Sequence, residues 1–134
     1  MKIVLDTNII ISAVLFPNSL IAKIFKYVVD CEKLVLNQYI INEVERVFAE
    51  KFPENVMDLK KFMNGISYEN HVSYTTDYSK YPTIRDKNDL PILALAIESE
   101  ADILITGDKD FDDVKIDKPV ILSPRKFGEK FFDN

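Results

Sequence analysis

The chain has 134 residues, 47% of them hydrophobic and 29% charged, with a formal net charge of −5 and an isoelectric point near 4.9. That size and balance predict one folded domain over residues 1–134 and exclude a disordered chain, while the acidic charge excludes a generic nucleic-acid binder built on a positive stripe. A sole cysteine, Cys31, excludes an internal disulfide and makes a cytoplasmic location the expectation; no secretory signal is read at the N-terminus, and no stretch approaches the ~18 apolar residues of a membrane span.

Residues 2–6 predict a strand, because Ile3, Val4 and Leu5 in a row suit a sheet covered on both faces. Asn18 or Ser19 can cap a helix through about 30, with Leu20, Ile21, Ile24, Phe25 and Val28 at helical spacing. Cys31 ends that apolar pattern and is expected to be a buried structural thiol. Leu34–Leu36 is a second strand. Asn37 then caps a helix over about 38–51, whose stripe is Ile40, Ile41, Val44, Val47 and Phe48.

Pro53 interrupts, and a further amphipathic helix carries Val56, Leu59, Phe62 and Met63 as far as Gly65. His71–Tyr74 predicts a short edge strand, and Thr75–Asp86 a surface loop. From Leu90 a helix begins with Pro91 in its first turn and is apolar on nearly all sides, so it should be deeply packed. Residues 102–106 and Val120–Leu122 are the remaining strands. Ser123-Pro124 opens a terminal helix with Phe127 and Phe131 on one face. Alternating strands and helices predict an α/β fold: a three-layer α/β/α sandwich around a mainly parallel sheet of four to five strands.

Chemistry is concentrated in acids. Asp6 ends the first strand and Asp108 follows the strand at 102–106, with Asp110 just beyond. Asp89 heads the apolar helix, with Asp86 three residues before it, and Asp86-Lys87-Asn88-Asp89 holds more capping chemistry than one helix start needs. Glu43 sits on the flank of the stripe of the 38–51 helix, whereas Glu45, Arg46 and Glu50 face solvent. In a parallel sheet, strand-end and helix-start acids share one edge, where ligands bind. Carboxylates crowded there repel unless a cation joins them. Hard oxygen donors without a cysteine or histidine cluster suit Mg²⁺ or Mn²⁺, not zinc. The three glycines form no phosphate-binding loop, and a lone His71 leaves no histidine-based relay.

The segments Val4–Asn8, Asn42-Glu43-Val44, Asp89–Ala96, Ala101–Phe111 and Ile121–Phe127 together resemble, in order and over essentially the whole chain, the PIN domain, and within it the compact prokaryotic toxins of toxin–antitoxin pairs. The resemblance implies a metal-dependent endoribonuclease with one or two Mg²⁺ or Mn²⁺ ions. It implies Asp6, Glu43, Asp89 and Asp108 as the catalytic, metal-holding cluster, with Asn8, Asp86, Thr106 and Asp110 in support. The implied partners are an RNA substrate and a small inhibitory antitoxin; a homo-oligomer is left open. Arg85, Lys87 and Lys109 are candidates for phosphate contacts, and Tyr78 and Tyr81 for a partner interface. Two alternatives stand beside this reading. One is a PIN-like module that binds protein or RNA without effective catalysis. The other is a Mg²⁺-dependent phosphatase, disfavoured because the position two residues after Asp6, where a general acid would be needed, is Asn8.

Overall fold

The structure is a computed structural model, describing residues 1–72 and 81–132. In chain order the elements are β1 (Lys2–Leu5), α1 (Thr7–Leu15), α2 (Leu20–Cys31), β2 (Lys33–Leu36), α3 (Gln38–Lys51), α4 (Val56–Asn64), β3 (Glu69–Asn70), α5 (Leu90–Glu98), β4 (Ile103–Ile105), β5 (Val120–Leu122) and α6 (Pro124–Phe131). The five strands form one sheet in the order β3-β2-β1-β4-β5, and every pairing is parallel. Right-handed crossovers then place the helices linking β1, β2 and β3 on one face and α5 on the other. Packing agrees: α1 contacts α2, α3 and α4, α2 contacts α6, and α5 lies on β1. The architecture is the expected α/β/α sandwich with a central parallel sheet.

The central strands have no solvent face. Ile3, Val4, Leu5, Leu34, Val35, Leu36, Leu104 and Ile105 are all buried, which is why their sequences are unbroken apolar runs rather than alternations. Burying each such side chain is worth about 1.5–3 kcal/mol. Three helix starts are fixed by side-chain caps: Ser19 accepts from the Ala22 amide, Asn37 from Ile40 and Ser123 from Lys126. Each cap contributes on the order of 1 kcal/mol.

Four local expectations need correction. Helix α1 went unread in the sequence because Ile9, Ile10, Ile11 and Ala13 are all buried, so no polar face marks a helical period. Cys31 is exposed, not buried, because it closes the last turn of α2 where the chain leaves for β2. The edge strand pairs at Glu69–Asn70, two residues before the expected start. His71 only extends the ladder, its amide donating to the Leu36 carbonyl at 2.8 Å; Ser73 and Tyr74 lie outside the described residues, as do residues 75–80 of the expected 75–86 loop. Tyr81 is half-buried, and its hydroxyl donates to Glu98 Oε1 at 2.6 Å, so it is not an exposed interface aromatic; Tyr78 lies outside the described residues.

Candidate metal centre

Strand order fixes the place of the site. From β1 the chain moves first toward β2 and β3, then returns to β4 on the opposite side. The point between β1 and β4 is therefore a topological switch, and its carboxyl end is where an open α/β sheet leaves a crevice. Leu5 is level with Ile105. The next residue on each strand, Asp6 and Thr106, therefore stands side by side at the crevice, and the Asp6 amide donates to the Ile105 carbonyl at 3.0 Å.

Thr106 organises this corner. Its Oγ1 donates to Asp6 Oδ2 at 2.7 Å and accepts from the Asp108 amide at 3.0 Å. One buried hydroxyl thus sets the orientation of Asp6 and the turn that carries Asp108. Asp108 Oδ1 in turn accepts from the Asp110 amide at 2.8 Å, capping the short turn Lys109–Phe111, whose Phe111 is buried as an anchor. On the other side, Asp86 Oδ1 accepts from the Asn88 amide at 2.9 Å and caps the turn Lys87–Asp89 that leads into α5. Asp86 therefore does the capping, and Asp89 is released from it.

Asp89 is only 8% exposed, yet among the described residues no donor reaches its Oδ2. The Thr7 hydroxyl, next to Asp6, is likewise buried with no partner among the described residues. Burial pushes the Asp89 carboxyl up to about 7, helped by Asp108, close enough to share a proton, and by the charges of Asp6 and Asp86. Burial also raises Asp6, and the Asp108 charge adds to this. The Thr106 hydrogen bond and the amides of Thr7 and Asn8 pull it partly back. Oxygen atoms of Asp86, Asp89 and Asp110 lie within 4.8 Å of one another.

The structure thus gathers Asp6, Asp86, Asp89, Thr106, Asp108 and Asp110 at one crevice. Asn8 is exposed on the first turn of α1, at the same edge. Glu43 lies on α3, the helix that starts from this edge, but its carboxylate is engaged by Arg46, which also holds Glu50 at 2.8 Å. Arg85 is tied to Asp113 at 2.9 Å and to Asp110 at 3.5 Å. Lys87 and Lys109 are exposed and make no salt bridge among the described residues. Sequence reasoning missed Tyr39. It lies one turn before Glu43, and its Oη donates to the Asn88 carbonyl at 3.2 Å. Its signal was available: an aromatic in the first turn of a helix, off the apolar stripe.

Orphaned buried carboxylate oxygen, mutually repelling acids and an all-oxygen donor set fit a hard divalent cation. Fold and crevice together define a class of α/β domain that carries its acids at the sheet's switch point. Within it, the PIN domain family model matches residues 2–110, and the chain belongs to the PIN-domain family. PIN domains are generally nucleases and typically bind divalent metals. The chain is similar to the uncharacterized protein MJ1680 of Methanocaldococcus jannaschii, with 27% identity covering 97% of this chain and 91% of that one. Its fold is similar to the crystal structure of VapBC2 from Rickettsia felis bound to a DNA fragment from their promoter. That match has a TM-score of 0.67 at 18% identity and covers 91% of this chain and 97% of the other.

Proposed function

We propose that the protein is a Mg²⁺- or Mn²⁺-dependent endoribonuclease and the toxin half of a toxin–antitoxin pair. The observation that carries the reading is the buried Asp89 oxygen, given no donor by the described residues, among Asp6, Asp86, Asp108 and Asp110. A folded protein keeps such an arrangement at a cost, and a divalent cation removes that cost. Membership of a family of nucleases supports phosphodiester hydrolysis as the chemistry that follows.

Asp6, Asp89 and Asp108 would hold the ion or ions, with Asp86, Asp110 and Glu43 adding oxygens or orienting water. When bound, the cation supplies Lewis acidity at the phosphoryl group and offsets the charge that develops there. The chain's own residues do the rest. Thr106 keeps Asp6 and Asp108 in fixed orientation through two hydrogen bonds from one hydroxyl. Leu5 and Ile105, which directly precede Asp6 and Thr106, are fully buried, so water cannot reach the acids along the strands. Exposed Lys87 and Lys109 flank the acids on either side and can take phosphates of the RNA; such contacts give affinity without sequence choice. Arg85, held by Asp110 and Asp113, is less free to do so. No side-chain nucleophile is required.

The antitoxin assignment draws on the resemblance to compact prokaryotic toxins and on a fold shared with the Rickettsia felis VapBC2 structure. The engagement of Glu43 by Arg46 favours the second reading, a PIN-like binding module with weak catalysis, because it withdraws one expected ligand from the acid group. One experiment separates them. Purified parent and Asp6→Asn proteins are incubated with RNA in Mn²⁺, Mg²⁺ or chelator, and manganese binding is followed by calorimetry. Cleavage that needs the metal and is lost in the variant is the expected result. Metal binding without cleavage would favour the binding module, and cleavage that survives chelation would refute the metal-dependent reading.

A further inference from the structure

We propose that Tyr39 is the stacking platform that seats a base of the RNA substrate beside the acidic crevice. The inference rests on the ribonuclease reading and extends it from chemistry to substrate placement. Tyr39 occupies the first turn of α3, at the carboxyl end of β2, and is 37% exposed. Its i+4 neighbour on the same helix face is Glu43. Its hydroxyl is fixed across the crevice rim by the bond to Asn88, 49 residues away and adjacent to Asp89. Burial raises its phenol above the usual range, and the charges of Glu43, Asp89 and Asp86 add to this, so the group stays a protonated donor. The bond to Asn88 sets the ring beside the turn that carries Asp86 and Asp89, one helical turn before Glu43. Phe111, beside Asp110, is by contrast buried and offers no face.

A ring at this position does nothing for the core: it is off the buried stripe of Ile40, Val44 and Phe48. A tether at the hydroxyl leaves its faces as the chemically distinctive feature. Single-stranded RNA is gripped by phosphate contacts together with bases stacked on aromatic side chains, and a ring already immobilised loses little entropy on binding. With a phosphate drawn to the cation-loaded acids, the base of a neighbouring nucleotide lies within reach of Tyr39. The stacking is sequence-tolerant, because every base has a π-face.

The competing role is a tether that positions the Lys87–Asp89 turn. Three substitutions separate the two: Tyr39→Phe keeps the ring and removes the tether, Tyr39→Trp enlarges the ring, and Tyr39→Ala removes both. Steady-state cleavage in Mn²⁺ would be measured on an oligoribonucleotide and on a series of it with single abasic positions. Tyr39→Ala should raise KM about tenfold, with a smaller fall in kcat, while the Phe and Trp variants stay within about threefold of the parent. One abasic position should cost the parent about tenfold and cost Tyr39→Ala nothing further. If Phe falls as far as Ala, or Ala equals the parent, or abasic losses are the same in both proteins, stacking is overturned while the nuclease reading stands. A parent that leaves RNA intact overturns both.

Discussion

The two ends of the sheet use the same residue type to opposite effect. At the amino end, Asp102 accepts the Lys2 amide at 2.8 Å, with Lys118 at 3.7 Å. Glu69 stands between Lys2 and Lys33 at 3.6 and 3.5 Å, and the N-terminal amine reaches Glu32 at 3.4 Å. The Lys2 amide, and then Lys118, hold Asp102 below the usual carboxylate range. At the carboxyl end, Asp6 and Asp89 are raised, by burial first and by one another's neighbours second. Acids at the amino end are matched within the chain. At the carboxyl end Asp110 meets Arg85 at its rim, but no ion pair among the described residues reaches Asp6, Asp89 or Asp108, which are matched only if something positive arrives from outside. That asymmetry, more than the number of acids, separates a site from a charged surface.

The largest effect that could break the comparison is loss of a central acid. Asp6→Asn should lower cleavage about a thousandfold or more while leaving thermal stability at or above that of the metal-free parent, since the variant removes a buried charge. Cleavage at the parental rate would remove Asp6 from the site. Next, Mn²⁺ should stabilise the parent, by about 2.7 kcal/mol at a hundredfold excess over its Kd, and should raise Tm by several degrees. Asp102→Asn, at the other end of the sheet, should keep that shift in full, whereas Asp89→Asn should lose most of it. Glu43→Gln then asks whether Arg46 releases its partner when metal and RNA are bound. If it does, cleavage should fall about tenfold with little change in Tm; an unchanged rate would make Glu43 a surface ion-pair residue.

The smallest effect is the pH dependence of metal-free stability. Asp89 has a folded-state pKa above its unfolded value. The folded state therefore holds the proton more tightly, and the contribution is full below about pH 4 and lost as pH rises through about 7. Relative to Asp89→Asn, the metal-free parent should lose stability over that window, by about 1 kcal/mol once solvent screening is allowed for. Asp102 works in the opposite sense. Its folded pKa is lowered, so its contribution is present at neutral pH and is lost as pH falls through the acid range. Chemical denaturation from about pH 2.5 to 8 with chelator present should show the parent's advantage over Asp89→Asn falling as pH rises toward about 7 and its advantage over Asp102→Asn falling as pH drops below about 4; shifts of the same sign would erase the asymmetry.

Much of this was legible in the sequence because the physics is local. Unbroken apolar triplets such as Ile3-Val4-Leu5 announce strands buried on both faces, and an acid directly after such a run is delivered to the sheet's carboxyl edge whatever the neighbours do. Asp6 was placed at that edge for this reason, Asp108 by standing just past the strand at 102–106, and Asp89 by heading the apolar helix. What was hidden depended on tertiary partners. Helix α1 has no polar face to reveal its period. The division of labour between Asp86, which caps, and Asp89, which is left without a donor, is decided by backbone geometry that the string Asp86–Asp89 does not carry. Glu43 was readable as a helix-flank acid, but its engagement by Arg46 was not. Tyr39 gained meaning only when Asn88 was found across from it.

Crystals soaked in Mn²⁺ and measured at a wavelength where manganese scatters anomalously would show directly where the ion binds. A peak is expected among Asp6, Asp89 and Asp108, with Asp86 or Asp110 nearby, and it should disappear in Asp6→Asn. Manganese found only at amino-end acids such as Glu69 or Asp102, or bound equally by the variant, would contradict the proposed metal centre.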